Sequence, residues 1–399
     1  YGSSNNYYRL SMNSRYGFTR LEKHDNGIFN TIGVNSIGYV DNAPLPINMT
    51  VEINGDTIIV WIDDDPVFAV VDANIPAGTV ALYCQDEASF DNVLIAENSP
   101  QPMVAVTTPL AHSVALTIGE GNTLSAQAVA LNEPVGSRVV FTLDDSAQAD
   151  SSELGGLYRA QLSATDGDHE ITAILLDDSG EELSRDINAV VGVGGNYIVT
   201  VGNSITNGVG DDNPLNNVSS DGRIVSRQGF QANLSDLIST PSLPQIVFNE
   251  GIGGDMSIDT DVQRIDSILE RHPGANRMLL LIGTNDALNS RSDVDFDGNL
   301  RNIVNTARTD VDRVYIALIP PVYIPNPDAA NNRIMNYNTK ITAFINGDPF
   351  KNINIFLGPD FYARFLNRFD SLYADSLHPN DAGYQAMAGD WRNTLLSSQ

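Results

Sequence analysis

Four short polar stretches in the second half of the chain carry side chains able to do chemistry: "VGNSITNGVG" (201–210), "NEGIGGD" (249–255), "GTND" (283–286) and "ADSLHPNDAGY" (374–384). A serine hydroxyl such as that of Ser204 attacks a carbonyl only when a base takes its proton. The chain holds five histidines, and His24, His112 and His169 lie in β-patterned segments, while His272 closes a charged helix, "ILERHPGANR". His378 sits in a turn, three residues after Asp375. A carboxylate so placed can bond the ring nitrogen remote from the serine, which fixes the tautomer and favours the imidazolium. The oxyanion of acyl transfer needs donors fixed in advance. Backbone N–H groups at Gly253 and Gly254 and the side-chain amide of Asn285 are candidates. Two readings of Ser204 remain open on these grounds: a nucleophile, or a cap for the next helix.

The elements around these stretches decide whether they can meet. From residue 195 onward, the apolar runs "NYIVTVG", "QIVFNEG", "RMLLLIG", "DRVYIALIPP" and "INIFLGP" alternate with helix-like stretches, among them "GFQANLSDLIS", "DVQRIDSILERH", "LRNIVNTAR" and "NRIMNYNTKITAFI". Near-continuous apolar strands separated by amphipathic helices predict a parallel sheet covered on both faces. In such sheets ligands bind beyond the carboxyl ends of the strands. The first three polar stretches each come directly after a strand, so they are expected along one edge, with the fourth folding back onto it.

In this order, the four stretches resemble the blocks of the SGNH (GDSL-type) hydrolases, over residues 196–397. "GNSIT" is similar to the nucleophile block, "NEGIGGD" to the glycine block, "GTND" to the asparagine block and "DSLHP" to the Asp-x-x-His block. The resemblance implies a three-layer α/β fold with a five-stranded parallel sheet and no required cofactor or metal. It implies Ser204 as nucleophile, His378 as general base and then acid, and Asp375 as the residue orienting His378. It also implies an oxyanion hole made of the Ser204 N–H, the Gly254 N–H and the Asn285 side chain. Gly254 is preferred to Gly253 because it directly precedes Asp255. Asn203 departs from the pattern, standing where many members have Asp; Asp375 supplies the triad carboxylate, so activity is expected to survive.

Two all-β sandwich modules are expected before this domain, giving boundaries at 1–98, 99–194 and 195–399. Residues 1–98 show hairpin signatures, with turn formers in "EINGDT" and "IDDDPV" between alternating runs. The stretches "YYRLSMNSRYGFTRLEKHDNG", "INGDTIIVWIDDDPV" and "SFDNVLI" resemble the later half of a concanavalin A-like jelly roll of the laminin-G type. Such sandwiches need more strands than fit here, so the first half is expected to lie outside this chain. Modules of this kind can carry calcium, although the sequence does not place its ligands. "ENSPQPMVAVTTP" reads as a linker into 99–194, where turn signals recur at sandwich spacing and "GGLYRAQLSATDGDHEITAILLDDSG" resembles a bacterial immunoglobulin-like domain.

Composition bounds the setting. The 399 residues exceed what one core usually serves, and a formal charge of −28 argues against nucleic-acid and anionic-membrane partners. Such acidity suits saline, extracellular or periplasmic surroundings, where self-repulsion is screened. No run is long enough to cross a bilayer. The chain opens on Tyr1 without a leader pattern, so either a leader has been removed or the chain is part of something longer. Cys84 is the one cysteine and reads as a packed thiol in a strand. "SDVDFDGNL" mimics a calcium loop but has Val304 where a bidentate carboxylate belongs, so its acids are expected to open a helix. Asp211 and Asp212 read as a solvent-exposed loop rather than as lining of the substrate mouth, and Trp61 as core rather than a sugar platform.

The expected activity is that of a secreted serine esterase acting on an acylated, most simply acetylated, carbohydrate. One alternative is a general short-chain esterase or a lysophospholipase/thioesterase-type enzyme. Another, of a different class, is a carbohydrate-binding adhesin with an inactive hydrolase domain.

Overall fold

The structure is a computed structural model that describes residues 6–13, 18–25, 28–35, 48–62, 65–72, 80–82, 101–109, 113–115, 123–154, 157–213, 216–223, 225, 228–272 and 274–398. Cys84 and the acids Asp63 and Asp64 of "IDDDP" lie outside these residues.

The N-terminal part holds two antiparallel three-stranded sheets. One is Asn6–Asn13, Phe18–Asp25 and Ile28–Asn35; the other is Met49–Asn54, Thr57–Ile62 and Asp65–Val71. Side chains alternate across a strand, and Thr57–Ile62 uses both faces. Ile58 and Val60 join Leu21 and Phe68 in a core shared by the two sheets. Ile59 turns the other way, onto Ala105 and Leu131 of the next unit, with Trp61 packed against them. Trp61 is therefore structural, partly buried where two β-units meet.

The second unit is a sandwich. A five-stranded sheet runs Ser146–Asp150, Arg138–Leu143, Gly167–Leu176, Glu182–Val193 and Val114–Ala115 in spatial order. It faces a four-stranded sheet of Ser152–Leu154, Leu157–Ser163, Thr123–Leu131 and Met103–Thr108. Val139, Phe141, Leu162, Ile171, Ala173 and Leu175 are among the side chains closed between them. The stretch expected as a linker is thus partly strand: Met103–Thr108 pairs with Thr123–Leu131. Its Val104 and Val106 face the sandwich core while Ala105 faces the N-terminal unit.

Strand Glu182–Val193 passes through only Gly194 and Gly195 into Asn196–Gly202, the first strand of a parallel sheet. The order is Gln245–Gly251, Asn196–Gly202, Arg277–Leu281, Arg313–Leu318 and Ile355–Asp360, all parallel. Separate cores cover its two faces, one around Val199, Leu280, Phe296 and Tyr337, the other around Ile198, Leu279, Tyr315 and Trp391. This is the expected three-layer α/β arrangement. Asp293 and Asp295 do open a helix, Asp293–Ala307, capped by Ser292, whose hydroxyl accepts the Asp295 N–H at 3.0 Å. The fully buried Arg223 ties the α/β part to the sandwich by pairing with Asp168 of the sandwich and with Asp221. Among the described residues, no helix is long and apolar enough to cross a membrane.

Candidate active site

Strand Asn196–Gly202 ends against a helix of one turn, Ser204–Asn207. The residue that caps this helix is Asn203: its backbone is extended and its Oδ1 accepts the Ile205 N–H at 3.0 Å. Ser204 is therefore the first helical residue, and its hydroxyl is not the cap. Its Oγ lies 3.0 Å from Nε2 of His378, 174 residues further on. Nδ1 of His378 lies 2.8 Å from Oδ2 of Asp375. The other carboxylate oxygen, Oδ1, accepts the backbone N–H groups of Leu377 and His378, each at 2.7 Å.

The loop holding this pair is itself fastened. Ala374 N–H donates to the His378 carbonyl at 2.9 Å, and the Tyr373 hydroxyl donates to the Pro321 carbonyl at 2.6 Å. Asn380 then caps helix Asp381–Ser397 by accepting from Gly383 N–H. From that helix the buried Tyr384 hydroxyl donates to the Val209 carbonyl at 2.8 Å, joining the histidine segment to the serine segment. Partial burial works to raise the Asp375 pKa. Hydrogen bonds from the His378 ring and from the two backbone N–H groups outweigh it and hold the carboxyl below its ordinary range.

The glycine stretch comes after strand Gln245–Gly251. Gly251 packs against the backbone of Thr206 and Asn207 so closely that a Cβ would collide with it. Gly254 has φ +86°, a left-handed conformation that L side chains resist. Gly253 differs: it has no positive φ, and a Cβ there would meet open space. Asn285 stands in the first turn of helix Thr284–Leu288, nearly buried, and its Nδ2 donates to the Asp255 carbonyl at 2.8 Å. Beside it, Asp286 accepts from the Ser257 N–H at 2.9 Å and the Ser257 hydroxyl at 2.6 Å, pinning the segment just after the glycines. Burial pushes the Asp286 carboxyl up, and these bonds offset only part of that shift.

The structure thus joins Ser204, His378 and Asp375 in one hydrogen-bonded chain, and joins Asn285 to the carbonyl of the residue after Gly254. Asp211 is not the exposed residue expected. It is buried, with Oδ2 accepting from Gly229 N–H at 2.9 Å and Asn216 Nδ2 at 2.8 Å, whereas Asp212 is exposed. His272 does close a helix, Ile265–Arg271, and its ring is fully buried there, with Nδ1 2.5 Å from the Tyr197 hydroxyl and Nε2 2.7 Å from Glu250 Oε1. Glu250 and Arg264, buried beneath the glycine stretch, were not anticipated from the sequence. The available signal was a carboxylate, Glu250, near the end of a strand buried on both faces, which demands buried partners.

Residues 200–386 match the GDSL-like Lipase/Acylhydrolase family. Among solved structures the chain is similar to a lipolytic protein of the G-D-S-L family from Veillonella parvula DSM 2008, at 22% identity over 49% of this chain and 94% of that one, with a TM-score of 0.38. It is similar to TesA at 19% identity, covering 51% of this chain and 100% of that one, with a TM-score of 0.41. A third is Axe2, an acetylxylan esterase from Geobacillus stearothermophilus, at 19% identity over 51% of this chain and 94% of that one, with a TM-score of 0.39. No curated protein sequence matches the chain.

Proposed function

With a GDSL-like lipase/acylhydrolase domain at residues 200–386, the chain is an ester hydrolase, and we propose that Ser204 is its nucleophile, His378 its general base and Asp375 the carboxylate that orients His378. The observation that carries this reading is the continuous chain Ser204 Oγ, His378 Nε2 and Nδ1, Asp375 Oδ2, with links of 3.0 and 2.8 Å. With Nδ1–H donated to Asp375, Nε2 is free to accept the serine proton as Oγ attacks the carbonyl. The tetrahedral oxyanion is received by the N–H groups of Ser204 and Gly254 and by the second Nδ2 hydrogen of Asn285. Collapse expels the alcohol as His378 returns the proton to it. Water then repeats the sequence on the acyl-serine. Apart from that water, side chains and backbone supply every group these steps use.

The substrate in this reading is a short-chain ester of a carbohydrate, most simply an acetyl ester on a polysaccharide. Its support is the open rim: Gly253 and Gly254 are exposed and about half of the Asp375 side chain faces solvent, which suits a bulky alcohol bearing a small acyl group. The β-modules, at 1–98 and 99–194, serve to position or attach the enzyme, and the charge of −28 fits work outside the cell in saline surroundings.

The test is acetate release from acetylated polysaccharides, set beside hydrolysis of nitrophenyl esters of increasing acyl length, with Ser204→Ala as control. The reading requires activity on acetylated glycan that falls as acyl length grows and vanishes in the control. Preference for long acyl chains would favour the lysophospholipase/thioesterase alternative. A Ser204→Ala protein as active as the parent would remove the mechanism.

A further inference from the structure

We infer that Arg264 is a positioning residue for the oxyanion donors, a role that rests on the active site proposed above. The observation is a single guanidinium gripping both ends of the glycine loop. Nη2 of Arg264 donates to the Glu250 carbonyl, where the strand ends, and Nη1 pairs with the Asp255 carboxylate, where the loop ends. Between these grips lie Gly251 to Gly254, including the left-handed Gly254. The carbonyl of Asp255 is in turn the acceptor that holds Asn285 Nδ2. One cation therefore sets two donors at once, the Gly254 N–H through the loop and the Asn285 amide through the Asp255 carbonyl.

Arg264 reaches this position because of an irregularity in its helix. Residues Thr260–Arg264 form a π-helical turn before the regular helix Ile265–Arg271. A π-turn inserts an extra residue and rotates the remainder of the helix, a device common at functional sites. Here it buries Arg264 alongside Ile265 and Ile268, with its side chain only 4% exposed. The group is backed by a second relay. Glu250 Oε2 stands 4.0 Å from Nη2, while Oε1 faces His272 Nε2 at 2.7 Å, and His272 Nδ1 faces the Tyr197 hydroxyl at 2.5 Å. In the neutral ring, Nε2–H donates to Glu250 and Nδ1 accepts from the Tyr197 hydroxyl, so each hydrogen-bonding site on the ring is used.

Burying such a cluster is costly, and apolar residues of similar volume often stabilise as well or better. A cluster that fixes a loop geometry has a reason to persist in spite of that cost. Lysine cannot replace it, since a point charge does not reproduce two directed N–H bonds from one planar group.

The test is a double-mutant cycle on kcat and KM for a nitrophenyl acetate, pairing Arg264→Lys with Asn285→Ala. In the parent background, Arg264→Lys is expected to lower kcat about 10- to 100-fold with KM within about threefold, since the donors matter most in the transition state. In the Asn285→Ala background the same substitution should cost less than half that factor on a logarithmic scale, because one of the two donors it positions is already gone. Equal factors in the two backgrounds, or a loss residing in KM, would overturn the inference. If Arg264→Lys does not fold, as judged by circular dichroism, Asp255→Asn takes its place in the cycle with the same expectation. Ser204→Ala is run alongside: activity surviving there refutes the active site itself, whereas an inactive Ser204→Ala with an additive cycle refutes only the role of Arg264.

Discussion

Replacing Asp375 by asparagine should damage the enzyme more than replacing it by alanine. In the parent, Oδ1 is held by two backbone N–H groups at 2.7 Å each, and Oδ2 faces the His378 ring at 2.8 Å. An asparagine placed there keeps its oxygen on the two N–H groups and turns its NH2 toward Nδ1. The ring must then accept at Nδ1 and carry its proton on Nε2, which faces Ser204 Oγ and can no longer act as a base. Rotating the amide restores the tautomer but gives up two hydrogen bonds of about 0.5–1.5 kcal/mol each. The total, about 1–3 kcal/mol, corresponds to a factor of roughly 5 to 150. The imidazolium also loses its carboxylate. That charge is screened, because the Asp375 side chain is 54% exposed. The expected fall in kcat/KM is roughly 10³-fold, approaching the ~10⁴ seen when a triad aspartate becomes asparagine. Alanine leaves space that water fills, so both tautomers stay accessible and the loss is about 10²-fold. The assay is kcat/KM on nitrophenyl acetate for parent, Asp375→Ala and Asp375→Asn. An asparagine variant that equals or exceeds the alanine variant would refute the tautomer reasoning.

Neighbouring glycines should respond oppositely. Gly254→Ala must take a φ near +86°, costing about 1–2 kcal/mol and displacing the oxyanion donor proposed above, so kcat should drop tenfold or more; Gly253→Ala, facing open space, should leave kcat within twofold. Arg223→Met removes the fully buried cation that meets Asp168 and Asp221, and should cost about 1–3 kcal/mol in chemical denaturation, below the usual range for a buried pair because Asp168 is half exposed. Its kcat on nitrophenyl acetate should be unchanged. Because the folded pKa of Asp375 is depressed, the unfolded chain binds the extra proton as pH falls. The stabilising contribution of Asp375 should therefore be full above about pH 4, the ordinary aspartate value, and vanish as pH drops through the folded pKa. The denaturation difference between parent and Asp375→Ala across acid pH checks this; a difference that grows on acidification would contradict it.

The parallel sheet, and the place of Ser204 just after its first strand, were legible because both depend on short-range signals: apolar runs ended by polar turns, repeated strand after strand. Whether Ser204 or Asn203 caps the adjoining helix was not legible, since both residue types cap well and only backbone geometry separates them. The network under the glycines was hidden for another reason. The inward aim of Arg264 depends on a π-turn, and the pairing of His272 with Tyr197 spans 75 residues, so neither leaves a periodic trace. Asp211 obeys the same logic, since the groups that bury it include the N–H of Gly229, 18 residues away. Met103–Thr108 reads as linker because a strand buried on both faces lacks the alternation that marks a half-exposed one.

Only Gly194 and Gly195 separate the last sandwich strand from the parallel-sheet strand that leads to Ser204. A joint of two residues has none of the reach of a polymer tether, whose end samples a volume that grows with its length. Anything the sandwich held would be offered to Ser204 at one distance and one angle. The spacing of ester groups along a long substrate, rather than how densely they crowd, would then decide which of them the serine meets.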